Sequence, residues 1–298
     1  MKNFKGIVYA ALSSSTFGLA PLFSILLLSD GFSSFEVLSY RWGVASLTLG
    51  IIGLAGGCRF RISRQELCTV FFLSLFRAAT SLSLVIAYQN ISSGVASIIH
   101  FMYPLAVALA MALFFRERIS WRTAAAIGVS LAGVALLSTG GIGSRGGDTT
   151  AGTIAAAVSV FAYAGYIIGV RKSRAAQVES TTLTFYVMAF GALLFLCGGM
   201  FTGGVRLVTD GKEWLAILGL ALPATALSNL TLVKAIRAIG PTLTALFEAM
   251  EPLTAVAVGI ALFGERLTPW GIAGIAAILA AVGMTLVPPR SREPQSTN

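Results

Sequence analysis

Glu248 and Glu251 stand three residues apart inside an apolar run, so on a helix they share one face about a turn apart. A second apolar run holds His100 and Tyr103 at the same spacing. Each pair is followed directly by a proline, Pro252 or Pro104. Proline lacks an N–H, so the carbonyl four residues back loses its donor. Those carbonyls belong to His100 and Glu248, which puts a side chain and a freed backbone acceptor at about the same depth in two helices. Such groups bind a polar solute, and paired carboxylates also allow proton coupling. Arg77, in the middle of a third apolar run, either pairs with Glu248 or Glu251 or receives a substrate carboxylate through its planar fork. For His100 the plainer alternative is a local hydrogen bond. Arg41 lies about two turns from a span end and is expected to snorkel outward. Trp42, Tyr88, Phe101, Tyr103, Tyr163 and Tyr166 offer rings for an apolar lining, with helix packing as the alternative for each. The expected substrate-binding set is Arg77, His100, Tyr103, Glu248, Glu251, Tyr163 and Trp42, with Pro104 and Pro252 as helix kinks.

Other chemistry is not expected. A single His and no nucleophile motif leave no catalytic cluster. Cys58, Cys68 and Cys197 are far apart without C-x-x-C spacing, so neither a metal nor a cofactor is predicted. The stretch from Gly141 to Gly146 matches G-x-G-x-x-G literally but follows an apolar helix rather than a strand, so it does not read as a nucleotide site.

The elements that carry these residues follow from composition. Of 298 residues, 56% are hydrophobic and only 11% charged, and the mean hydropathy is +0.84. A soluble domain carries about 25% charged residues, so the solvent of this chain is lipid. The net charge of +9 comes from basic residues scattered singly between apolar runs, which does not describe a nucleic-acid patch. Apolar runs at 6–28, 35–56, 66–88, 92–115, 121–139, 151–170, 181–201, 213–234, 240–263 and 269–287 each suffice to cross the bilayer as a helix. With the N-terminus in the cytoplasm, the far side receives only Arg145, Arg206, Lys212 and Arg266 of the 21 Lys and Arg. Arg41 and Arg77 lie inside spans, and the rest fall on the near side. That bias places both termini in the cytoplasm of an inner-membrane protein. Residues 288–298 are polar, carry Pro288, Pro289 and Pro294, and read as a disordered tail.

Comparing the chain with itself exposes a repeat. At an offset of 148, residues 71–120 align without a gap to 219–268. Ala78/Ala226, Met102/Met250, Pro104/Pro252, Phe115/Phe263, Glu117/Glu265 and Arg118/Arg266 are among the identical pairs. His100 pairs with Glu248 and Tyr103 with Glu251. Five spans per copy is an odd number, so the second copy enters the membrane inverted. The expected fold is all-α: ten transmembrane helices in two inverted five-helix repeats, 1–139 and 151–287, joined by an external Gly-rich linker at 140–150. Inverted repeats place a transport site near the midplane. Small residues Ala124, Gly128 and Ala132, echoed by Ala273, Ala277 and Ala281, are expected to pack helices internally rather than form a dimer seam.

The stretches Pro104 to Phe115-Arg116-Glu117-Arg118 and Pro252 to Phe263-Gly264-Glu265-Arg266 resemble the proline-to-Glu-Arg signature of the drug/metabolite transporter superfamily. The resemblance covers essentially the whole chain. It is to the EamA-type ten-helix exporters, and within them most to the YddG-type aromatic amino-acid exporters. It implies a secondary exporter of small amphipathic metabolites, amino acids including aromatic ones, working by alternating access around a central cavity. Drugs, nucleosides or other metabolites are the alternative cargo, and a non-transporting scaffold or receptor the alternative class. The implied partners are a small-molecule substrate and the bilayer, with a monomer sufficient. No ATP motif is present, so the energy source is a gradient, the substrate's own included. The four-helix multidrug relatives carry a key Glu in their first helix; this chain has none there, so their mechanism does not transfer.

Overall fold

The structure is a computed structural model describing residues 2–91, 93–138, 148–251, 253–254, 257 and 269–286. Every regular element among them is helical. The helices are α1 (Lys2–Phe17), α2 (Ala20–Ser29), α3 (Ser34–Ala55), α4 (Arg64–Asn90), α5 (Ser93–His100), α6 (Tyr103–Phe115), α7 (Trp121–Ser138), α8 (Thr149–Lys172), α9 (Ser180–Phe201), α10 (Gly211–Ala221), α11 (Ser228–Ile239), α12 (Pro241–Phe247) and α13 (Pro269–Leu286). A π turn, Leu222–Leu227, joins α10 to α11, and a 3-10 turn, Glu248–Met250, follows α12. Phe4–Ser29, Ser34–Ala55, Arg64–Asn90, Thr149–Lys172, Ser180–Phe201 and Gly211–Ile239 are long and apolar enough to cross a membrane. Tyr103–Phe115, Trp121–Leu136 and Pro269–Met284 are shorter apolar helices. Large apolar side chains such as Ile51, Phe114, Phe161 and Phe201 face outward, a surface that lipid tolerates and water does not. Pro252, Glu265-Arg266, most of the 140–150 linker and the 288–298 tail lie outside the described residues.

Local sequence sets the helix ends. Ser33 with Glu36 and Ser63 with Glu66 form capping boxes that start α3 and α4. Asp148 and Asp210 accept from the first N–H groups of α8 and α10. Helix α6 ends with Arg116 left-handed at φ 53°. The aligned position is Gly264, the residue that adopts this conformation without strain.

Helices pack mainly across the midpoint of the sequence: α7 on α13, α3 on α9, α4 on α8 and α1 on α11. The α3–α9 pair is antiparallel, with Phe35 against Gly198, Trp42 against Gly191 and Phe185 against Gly50. The same sense holds for α4–α8 (Phe76 at Gly165, Ile91 at Gly152) and α1–α11 (Gly6 at Ile239, with Phe23 of α2 at Gly219). Helices α3 and α9 differ by 146 residues at both ends, α7 and α13 by 148. The α7–α13 contact departs from the expected stripe. Ala124, Gly128 and Ala132 are exposed, whereas Gly133 meets the Gly274 carbonyl and the Ala277 and Ile278 side chains. The face that carries Ala126, Ile127, Ser130 and Val134 is the buried one.

Spans read as continuous are interrupted. The first breaks at Gly18 and Leu19, before Pro21. The 92–115 span breaks at Phe101 and Met102, with Pro104 opening α6. The 213–234 span widens into the π turn that begins beside Pro223, and the 240–263 span tightens to 3-10 at Glu248. Prolines occupy first-turn positions where no N–H is missed.

Candidate functional site

The four interruptions converge on one buried polar cluster. The backbone of α1 and α2 turns at Gly18, where a Cβ would sit 2.6 Å from the Glu251 carbonyl, so only glycine lets these two breaks touch. The His100 ring lies 5.2 Å from the Tyr103 ring and 5.4 Å from that of Tyr163, and Tyr103 and Tyr163 meet edge-on at 4.7 Å. Tyr163 Oη donates to Glu248 Oε2 across a long 3.4 Å. Arg77 is 1% exposed. Its guanidinium sits over the rings of Phe17, Tyr163 and Tyr166 at 5.2, 5.1 and 5.9 Å. The structure thus brings Arg77, His100, Tyr103, Tyr163 and Glu248 into one contact network, with Glu251 beside it.

Hydrogen-bond bookkeeping defines which atoms are free. His100 Nδ1 is 2.8 Å from Ser159 Oγ, and that hydroxyl donates to the Ala156 carbonyl at 2.6 Å. The serine has one proton and the carbonyl takes it. His100 Nδ1 therefore carries the ring hydrogen, and Nε2 keeps a lone pair. Among the described residues that Nε2 has no partner, nor do Tyr103 Oη, Tyr166 Oη, Glu248 Oε1 or Glu251 Oε2. Each is shielded from solvent. Unpaired buried polar groups are costly and mark where an occupant would bond.

Three expectations change. Arg41 does not snorkel outward: it is 4% exposed and donates from Nε to Thr225 Oγ1 at 2.6 Å. The π turn makes this possible, because it frees Thr225 to donate five residues back to the Leu220 carbonyl at 2.7 Å and present its oxygen sideways. Arg77 makes no ion pair within 4 Å among the described residues; its Nε donates to Asn229 Oδ1 at 2.8 Å. Trp42 lies in the α3–α9 seam, edge-on to Phe195 at 5.3 Å and over Gly191, where a bare backbone admits its indole.

Thr225, Asn229, Ser159 and Phe17 join the cluster without having been expected. Their signal is the repeat itself. At offset 148 Arg77 aligns with Thr225 and Ser81 with Asn229. At offset 146, Ser13 aligns with Ser159 and Phe17 with Tyr163. Ser13 accordingly lies near Glu248, its hydroxyl unpaired among the described residues, where Ser159 bonds His100. A search confined to ionisable residues passes over them because neutral hydroxyls and amides are common in membrane helices.

Residues 4–139 and 150–287 each match the EamA-like transporter family. The chain belongs to that family. It is a multi-pass membrane transporter. An uncharacterized transporter of Archaeoglobus fulgidus is 27% identical over 237 residues, 79% of this chain and 82% of that one. A second from the same organism is 25% identical over 192 residues, 64% of this chain and 62% of its own length. A solved crystal structure superposes with TM-score 0.76 over 95% of this chain and 96% of that chain, at 20% identity, a likeness of fold alone.

Proposed function

We propose that this EamA-family transporter is a secondary exporter of amino acids, aromatic ones included, that works by alternating access between two inverted five-helix repeats. The observation that carries the reading is the exchange symmetry of the contacts at the two ends of α3. Tyr40 Oη donates to the Arg206 carbonyl at 2.6 Å near the start of α3. Tyr186 Oη donates to the Phe60 carbonyl at 2.9 Å beyond its other end, with about 22 Å of helix between Tyr40 and Ala55. Both donors and both acceptors are related by 146 residues. Likewise Ser34 donates to Gln89 Oε1 at 3.1 Å, while in the related place Arg237 donates to Ser180 Oγ at 3.0 Å. Two copies that carry matching latches at opposite ends can release one end while holding the other. This is the requirement for alternating access.

The amino-acid cargo is supported by acidic, basic and aromatic groups gathered in one buried cluster. In this reading the protein lies in the inner membrane with both termini cytoplasmic, and 1–139 and 151–287 are the rocking units. Purified protein in liposomes, loaded with one amino acid and assayed for counterflow across a full panel, tests it. Flux is expected for aromatic members, reduced at least tenfold in Glu248→Gln and Arg77→Ala while both variants remain monodisperse. No flux for any panel member would overturn the cargo, and full activity in both variants would overturn the site.

A further inference from the structure

We infer that Arg41 and Arg77 form a carboxylate subsite, so that this transporter selects solutes bearing a carboxylate over amines and amides that lack one. The inference rests on the transporter reading above and deepens it by naming the group recognised. Both guanidiniums lie against the ring of Phe17, at 5.5 and 5.2 Å from its centroid, and are near enough to repel each other. Two like charges in a membrane core carry a heavy penalty unless something negative joins them. Yet the protein supplies each with a neutral acceptor, the Thr225 hydroxyl and the Asn229 amide. Those acceptors hold the forks through Nε, and although Glu248 and Glu251 are near enough to act on the arginines, neither closes an ion pair within 4 Å among the described residues. Arg206 at the surface is treated differently, pairing with Glu213 at 3.1 Å.

The free atoms point the same way. Arg41 Nη2 and Arg77 Nη1 are buried donors without partners among the described residues. A guanidinium with its Nε engaged keeps its terminal nitrogens for another acceptor, and in the proposed subsite each fork supplies one of them to a shared carboxylate. Glu248 and Glu251 belong to the same buried cluster but lie beyond ion-pair distance from either arginine. In the proposed pose a zwitterion sets its carboxylate on the arginines and its ammonium toward Glu248 and His100 Nε2. Asn229, in the first turn of α11, also donates to the carbonyl of Thr225 on the π turn at 2.8 Å, so the two arginine anchors are tied to each other.

The test is a matched ligand series on the full-length protein in detergent, read by calorimetry: phenylalanine, phenylalaninamide, 3-phenylpropionate and phenethylamine, extended with the other amino acids and small mono- and dicarboxylates. Acids are expected to bind at least about tenfold more tightly than their amide or amine counterparts, the scale of one charge-assisted pair. Arg77→Lys and Arg41→Lys keep the charge but lose the fork, and should draw the acid-to-amide ratio toward one. The wild-type series stands even where a variant fails to fold. Equal affinity for phenylalanine and its amide, or saturable binding by no carboxylate in the series, would overturn the subsite. Carboxylate binding without flux in liposomes would sink the exporter reading and leave the subsite standing; flux of carboxylate-free amines would do the reverse.

Discussion

Asn229→Asp separates the structural role of the arginine anchor from its functional one. In the native chain Asn229 Oδ1 accepts from Arg77 Nε at 2.8 Å, and its amide nitrogen donates to the Thr225 carbonyl at the same length. The aspartate keeps the first bond and adds a negative charge about 4 Å from the guanidinium centre. At an effective dielectric of about 20 that charge contributes roughly 4 kcal/mol of attraction. Burying a new carboxylate costs several kcal/mol, and the lost bond to Thr225 costs about 1 kcal/mol. The gain and the losses nearly cancel, so the melting temperature should stay close to that of the parent. A carboxylate ligand, by contrast, now meets a neutralised arginine and forfeits most of those roughly 4 kcal/mol, a loss of affinity on the order of 100-fold or more. Asn229→Leu is the converse: it leaves the Arg77 Nε without an acceptor and should destabilise by about 1.5–3 kcal/mol. The paired measurements are thermal unfolding in detergent and calorimetric titration with 3-phenylpropionate. An Asn229→Asp protein that binds the acid as tightly as the parent would refute the reasoning.

Three further outcomes follow from packing and capping. Gly191→Ala places a Cβ 2.0 Å from the Trp42 ring and should destabilise by about 1–3 kcal/mol; Trp42→Leu in the same chain should recover part of it, read as a non-additive double-mutant cycle. Arg116→Gly removes the side chain from a left-handed position and should stabilise by about 1 kcal/mol, visible as a raised melting temperature with counterflow unchanged. At the two ends, Arg237 reaches Ser180, Ala175 and Val178, whereas its counterpart Gln89 reaches Ser34. Arg237→Gln should therefore speed maleimide labelling of a cysteine placed in the cluster from the Arg237 end by about tenfold, the effect of losing roughly 1.4 kcal/mol, while Gln89→Ala changes labelling from the opposite end less. Equal effects at both ends would contradict the asymmetry.

Much of the site is legible before any fold is known, because membrane burial makes ionisable residues conspicuous. Arg77, His100, Glu248 and Glu251 stand out of apolar runs, and Pro104 announces the break that opens α6. The 148-residue offset, with Pro, Glu and Arg matched in both copies, carries the family resemblance. Neutral partners are not legible in this way: Asn229 and Thr225 differ little in type from many other small polar residues in the spans. Only their placement against Arg77 and Arg41 gives them a role.

Composition alone determined that the chain lives in lipid as helices, since backbone groups there have no other partner. The repeat offset determined which residues would correspond. Tertiary structure decided the direction in which side chains point. Arg41 turns inward because the π turn aims Thr225 at it, and Trp42 turns to α9 because Gly191 leaves a gap for it. Periodicity reports which residues share a helix face, but a charge two turns from the helix end can face lipid, water or a neighbour with equal local geometry. The choice belongs to the neighbour, and the neighbour comes from the other half of the chain.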